Sequence, residues 1–252
     1  MRILITNDDG VHAAGLVALA RAMAELGEVL VIAPERQQSA AGHGITLHKP
    51  LRMTPVALDA PVVAAFATNG TPADCVILAT ADGMPAPDLV VSGINTGANL
   101  AEEVIYSGTC AAAMEAVLGG MKAIAVSVAE YYDPAFEPTA EYAVRLARQV
   151  LAQGLPDDVF LNVNVPNVPA EDLLAPVVTR LGRRTYVNEL EKRTDPRGRD
   201  YYWFSGEPSE CECVEGTDIA AVQAGNISVT PVHYDLTWSG AADAIARLIA
   251  ED

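Results

Sequence analysis

The chain has 252 residues, half of them hydrophobic and 19% charged, which suffices for a full-sized core and excludes a disordered chain. Lys and Arg total 16 against 33 Asp and Glu, and this net charge of -17 argues against a nucleic-acid duplex or an anionic membrane as the main partner. An anionic substrate would then depend on a bound metal or on backbone donors.

Residues 2–6 form a short apolar strand that runs straight into Asn7-Asp8-Asp9-Gly10, where glycine lets the backbone turn tightly. Leu16, Leu19, Ala20, Met23 and Leu26 then recur at helical spacing up to Gly27. A second buried strand spans 28–33, ended by Pro34, and a polar loop over 35–44 holds Gln37, Gln38 and Ser39. A strand at 62–68 leads through Asn69-Gly70 into a helix opened by Thr71-Pro72 and running to Ala79. The strand at 88–92 opens into a loop, Gly93-Ile94-Asn95-Thr96-Gly97-Ala98-Asn99. Ser107-Gly108-Thr109 precedes an Ala-rich helix that stops at Gly119-Gly120. A strand at 123–128, a helix at 141–153 and a strand at 159–165 follow. Such alternation predicts parallel βαβ units and a three-layer α/β sandwich with a mostly parallel, Rossmann-like sheet over 1–165.

From about Pro166 the texture changes. Residues 177–204 mix β-branched and aromatic side chains with the turn Asp195-Pro196-Arg197-Gly198, which fits hairpins better than βαβ units. A short helix at 218–224, a strand at 226–230 and an amphipathic helix at 241–249 complete the chain. Residues 166–252 therefore read as a C-terminal hairpin arm on one single domain, 1–252. Tyr201, Tyr202, Trp203 and Phe204 in a row suit a subunit interface, or else pack onto their own sheet.

Cys75, Cys110, Cys211 and Cys213 are too few and scattered for a disulfide framework. Cys211-Glu212-Cys213 could supply half of a zinc site, but no second thiol or histidine pair stands at ligand spacing nearby. With no leader pattern and no stretch as long as a membrane span, a cytoplasmic setting is expected.

The polar residues that stand out follow predicted parallel strands, where ligands bind in open sheets. Asp8 and Asp9 repel each other unless a cation or protons sit between them. With Ser39 and Asn95 they form an all-oxygen donor set suited to Mg²⁺ or Mn²⁺ and poor for zinc. Each residue also has a plainer reading: the acids as turn and cap, Ser39 as a loop serine, Asn95 as a turn residue. Ser107, Gly108 and Thr109 are placed either to cap a helix or to cradle a phosphate on its free N–H groups. His43 and His48 stand where either could meet a leaving group or simply be solvated.

Taken together these stretches are similar to the SurE (survival protein E) family of 5'/3'-nucleotidases along nearly the whole chain. The resemblance rests on Ile3 to Gly10, Ala33 to Thr46, Asn69 to Cys75, Asp88 to Asn99, Tyr106 to Thr109, and Gly216-Thr217-Asp218 through Ser228 to Pro231. It implies a metal-dependent phosphatase for nucleoside monophosphates, 5' and also 3', with side activity on short polyphosphate. It further implies one divalent ion per subunit on Asp8, Asp9, Ser39 and Asn95, and a cytoplasmic dimer or tetramer with exchanged C-terminal segments. Ala101 and Cys110 depart from the family pattern, which usually has Gly and a small apolar residue there.

The reaction expected is phosphomonoester hydrolysis by metal-activated water, with Asp8 and Asp9 catalytic and Ser107, Gly108 and Thr109 on the phosphate. Two competitors remain. One is an aspartyl-phosphate enzyme, which usually carries a further acid two residues past the nucleophile, where Val11 or Gly10 stands. The other is a non-catalytic, metal- and phosphate-binding regulatory module, which would need an Asp and a Lys at strand ends occupied by Ser92 and Val128.

Overall fold

A computed structural model describes residues 1–184, 189–205 and 214–250. Cys211, Cys213 and the side chain of Phe204 lie outside the described residues. The sheet grows outward from β1 (Arg2–Thr6) in both directions. On one side stand β2 (Glu28–Pro34), β4 (Ala64–Thr68) and a short edge strand, β3 (Met53–Pro55). On the other stand β5 (Leu89–Thr96), β6 (Lys122–Val128) and β7 (Val159–Val165). From β4 to β7 all neighbours are parallel; β3 alone runs antiparallel to β4. Strand order thus reverses between β1 and β5. The loops leaving these two strands diverge, and the crevice between them is where an open α/β sheet binds its ligand.

Alternation along each strand builds two cores. Ile3, Ile5, Val29, Val31, Leu89 and Val91 face α1 (Ala14–Met23) and α5 (Phe136–Gln153). Leu4, Leu30, Ile32 and Val90 face α2 (Pro72–Leu78) and α4 (Gly108–Leu118). The second face is lined by small side chains, Ala123 and Ala125 on β6 against Ala112, Ala113 and Ala116 on α4, so this helix packs close. Burial of continuous apolar strands on both faces is what a parallel sheet requires. The expected three-layer architecture is present.

Several boundaries differ from expectation. β5 does not stop at Ser92. It continues past a register shift to Thr96, so Asn95 sits on a strand opposite Ser127 rather than in a loop. Helix α5 starts at Phe136, a turn earlier than its apolar periodicity suggests. A one-turn helix, α3 (Glu103–Tyr106), precedes α4. Beyond Val165 the sheet itself continues: β8 (Leu174–Val178) and β11 (Asn226–His233) add to it, with β11 antiparallel to β7 and parallel to β8. Among the described residues, β9 (Glu189–Thr194) and β10 (Asp200–Ser205) alone form a separate antiparallel hairpin. A short helix, α6 (Asp218–Gln223), leads into β11, and α7 (Ala242–Ile249) ends the described chain with none of its residues buried. No helix among the described residues is long and apolar enough to cross a membrane.

Candidate functional site

Asp8, Asp9, Ser39, Asn95 and Ser107 line one cavity of about 410 Å³, together with Gln37, Asn99, Tyr106 and Tyr131. It opens at the carboxyl ends of β1 and β5, so residues as far apart in the chain as Asp8 and Tyr131 meet there. Asp8 is buried at 4% exposure, and its Oδ1 accepts a 2.6 Å hydrogen bond from the Thr109 hydroxyl. The same hydroxyl lies 3.4 Å from Asn95 Oδ1, which brings that amide oxygen and the Asp8 carboxylate to one point. Asn95 is oriented from behind: its Nδ2 donates to the Gly97 carbonyl at 2.7 Å, so the oxygen faces inward. Asp9 Oδ2 accepts the Thr96 N–H at 3.2 Å. Ser39 is held by Gln37, whose Nε2 donates to the serine Oγ at 2.8 Å. The Gln38 N–H ties that loop to the Asp8 carbonyl at 2.7 Å.

The two acids do not sit comfortably as bare anions. Burial raises the Asp8 carboxyl above its ordinary value, opposed by the Thr109 hydroxyl and by the N–H groups of Thr109 and Gly108. Burial and the neighbouring Asp8 charge raise Asp9, opposed by the Thr96 N–H. Among the described lining residues there is no Lys or Arg to offset them. A small cation would.

Helix α4 explains the Ser107-Gly108-Thr109 sequence differently for each residue. Ser107 is the N-cap, its side chain accepting the Cys110 N–H at 3.1 Å, and it reaches the cavity wall. Gly108 is there for space: a Cβ would fall 2.7 Å from Asp8 Cβ and 2.9 Å from Asp8 Oδ2. Thr109 is fully buried and spends its hydroxyl on Asp8 rather than facing the cavity. The positive end of the helix is therefore directed at the acidic strand end.

Sequence reasoning overlooked the layer beneath. Asn162 and Asn164 alternate with apolar residues on buried β7, and both donate to the Asn99 carbonyl, at 2.8 and 3.0 Å. Asn164 Oδ1 accepts the Asn99 N–H, and Asn99 Nδ2 donates to the Ser127 hydroxyl. Two asparagines at i and i+2 within an apolar strand were the available signal, since a buried amide must be hydrogen-bonded. Asp218, fully buried, accepts the N–H groups of Ala101 and Gly182 at 2.8 Å each and pins the segment after Asn99.

Other expectations do not reach the cavity. His43 Nε2 sits 2.8 Å from Glu115 and lines a separate apolar cavity, and His48 is exposed on the loop beyond. Neither His lines the acidic cavity, because the chain from Ala41 onward is drawn to α2 and α4. Ala101 and Cys110 are also absent from its wall; the buried Cys110 thiol, 3.5 Å from Asn162 Oδ1, is pushed up to about 12 by burial.

Among the described residues, no three His, Cys, Asp or Glu side chains stand at metal-binding spacing. A cation here has to be completed by neutral oxygens, which Ser39 and Asn95 carry. Two carboxylates, a hydroxyl and an amide oxygen fit a hard divalent ion.

Fold and site together define an α/β protein with an acidic, oxygen-lined crevice at the sheet's switch point, faced by a helix N-terminus. Residues 3–188 match the family model described as "Survival protein SurE". The chain is 52% identical over 239 residues to the "5'-nucleotidase SurE" of Geobacter sulfurreducens, covering 94% of this chain and 89% of that one. The protein of the same name from Geotalea uraniireducens is 50% identical over 98% of both chains. A crystal structure of the SurE protein from Aquifex aeolicus superposes with a TM-score of 0.85 at 40% identity, covering 99% of this chain and 100% of that one. The chain belongs to the SurE family.

Proposed function

We propose that this protein is a 5'-nucleotidase, a phosphoric monoester hydrolase that acts on nucleoside monophosphates. The observation that supports this most directly is the convergence of Asp8, Asp9, Ser39 and Asn95 on one cavity, faced by the N-terminus of α4. Relatives that carry the nucleotidase name are half identical to it over nearly the whole chain.

Asp8, Asp9, Ser39 and Asn95 hold one Mg²⁺ or Mn²⁺ in this reading. When bound, such an ion polarises the phosphoryl oxygens and makes hydroxide available near neutral pH. Thr109 fixes the Asp8 carboxylate through its 2.6 Å hydrogen bond. Asp9 has one oxygen engaged by the Thr96 N–H, which leaves its other oxygen for the ion. Ser107, at the N-cap of α4 on the cavity wall, and the positive end of the helix dipole hold the phosphate, while the Gly108 and Thr109 N–H groups are turned to Asp8. Among the described lining residues the formal charges are those of Asp8, Asp9 and Glu103, so without a cation a phosphate dianion would be repelled. The 3'-phosphate and short-polyphosphate activities, a cytoplasmic setting and a dimer or tetramer belong to the same reading. Exposed Tyr201, Tyr202 and Trp203 on β10 and the uncovered α7 support self-association.

The test is phosphate release from 5'- and 3'-nucleotides and polyphosphate, before and after chelation and with each metal restored. Release abolished by chelator and recovered with Mg²⁺ or Mn²⁺ is expected. Chelator-insensitive release would remove the metal assignment. Binding of metal and phosphate without release from any substrate would leave a regulatory module.

A further inference from the structure

The catalytic end of the cavity accounts for a phosphate but not for the nucleoside that carries it. No Lys or Arg lines the remaining walls among the described residues, and Glu103, the acid there, is paired with Arg184 at 2.7 Å. The walls do contain two open aromatic faces. Tyr131, in the loop between β6 and α5, is 64% exposed, and Tyr106, ahead of Ser107, is 63% exposed.

Tyr131 is not a loose surface side chain. Its ring lies directly on the backbone of Gly97, where a Cβ would fall 2.1 Å from Cε1 and 2.4 Å from Cζ. Gly97 is two residues past Asn95, and its own carbonyl orients the Asn95 amide. The loop behind the ring is fixed as well: the Glu130 carboxylate accepts the N–H groups of Tyr131 at 2.7 Å and Tyr132 at 2.9 Å. One face of the ring is therefore backed by the strand end that bears the candidate ligand, and the rest is open to the cavity mouth.

Resting on the nucleotidase reading above, we infer that Tyr131 is a specificity-determining residue: its ring is the platform on which the nucleobase stacks. Every base has a π-face, so a stacking platform favours nucleotides over other phosphomonoesters without reading one base in particular. Tyr106 supplies a second aromatic surface on the wall formed by α3 and the start of α4.

The experiment measures kcat and KM for 5'-AMP and for ribose 5-phosphate, which presents the same ester without a base. Wild type, Tyr131→Ala, Tyr131→Phe and the neighbouring Tyr132→Ala are compared. Tyr131→Ala is expected to raise KM for 5'-AMP about tenfold while leaving kcat and the ribose 5-phosphate constants within about twofold. Tyr131→Phe keeps the ring and should match wild type, as should Tyr132→Ala, whose side chain is 98% exposed. Equal losses on both substrates, or no change on either, overturn the inference and leave the nucleotidase reading standing. Release from no nucleotide by wild type overturns both.

Discussion

Asp8 and Asp9 show what the site asks of single residues. Both have carboxyls raised by burial, and Asp9 is raised further by its neighbour. A carboxyl whose value is raised on folding stabilises the folded state fully only below its unfolded value, 3.8, and that contribution is lost as pH rises through the folded value. At neutral pH the metal-free protein therefore carries a destabilising pair. Asp9→Asn keeps an acceptor for the Thr96 N–H and removes the repulsion. It should raise the Tm of chelated protein at pH 7, with the gain fading as pH falls toward 3.8, while activity drops by about 10² to 10⁴. Paired thermal melts at the two pH values and turnover assays check this. Gly108→Ala is the steric counterpart. A methyl 2.7 Å from Asp8 Cβ must displace the acid or the helix start, so we expect about 1–3 kcal/mol of destabilisation by denaturant titration and loss of most turnover.

At the level of elements, the site depends on how helices and strands are closed. Helix α2 begins with a capping box in which Thr71 accepts the Asp74 N–H and Asp74 accepts the Thr71 N–H. Asp74 also accepts the Thr46 N–H at 3.0 Å, so one acid fastens both the helix start and the far end of the Ser39 loop. Burial raises its carboxyl, yet the hydrogen bonds from Thr46 and Thr71 outweigh this and hold it below the usual value. That stability is present above the unfolded value and is lost as pH falls through the folded one. Asp74→Ala should cost about 1–2 kcal/mol at neutral pH by denaturant titration, with the difference narrowing in acid. On β7, Asn164→Val leaves the buried Asn99 N–H unpaired. It should cost about 1–3 kcal/mol and lower turnover, because Asn99 forms part of the cavity wall.

Over the whole molecule, apolar surface is left where no part of the described chain covers it. Ile245, Leu248 and Ile249 on α7 are at least half exposed, as are Trp238 just before it and Trp203 on the hairpin. Replacing Leu248 and Ile249 with Asp should lower the sedimenting mass of an oligomer while leaving the Asp8 cavity intact, which sedimentation velocity and metal binding can separate. Much of this protein was legible along the chain. Apolar runs broken by amphipathic helices announced the parallel sheet, because strand and helix periodicities are local properties. Asp8, Asp9, Ser39 and Asn95 stood out because hydrophilic oxygens at strand ends need a reason. The hairpin showed itself through its turn residues. Folding in three dimensions decided the rest. It carried β5 through to Thr96, turned the Thr109 hydroxyl onto Asp8, set Asn162 and Asn164 under Asn99, and laid Tyr131 on Gly97. The asparagine pair on β7 signals a need for hydrogen-bond partners, but none of these partners can be read locally. The pairings form only when strands far apart in sequence lie side by side and their loops are pressed into one crevice.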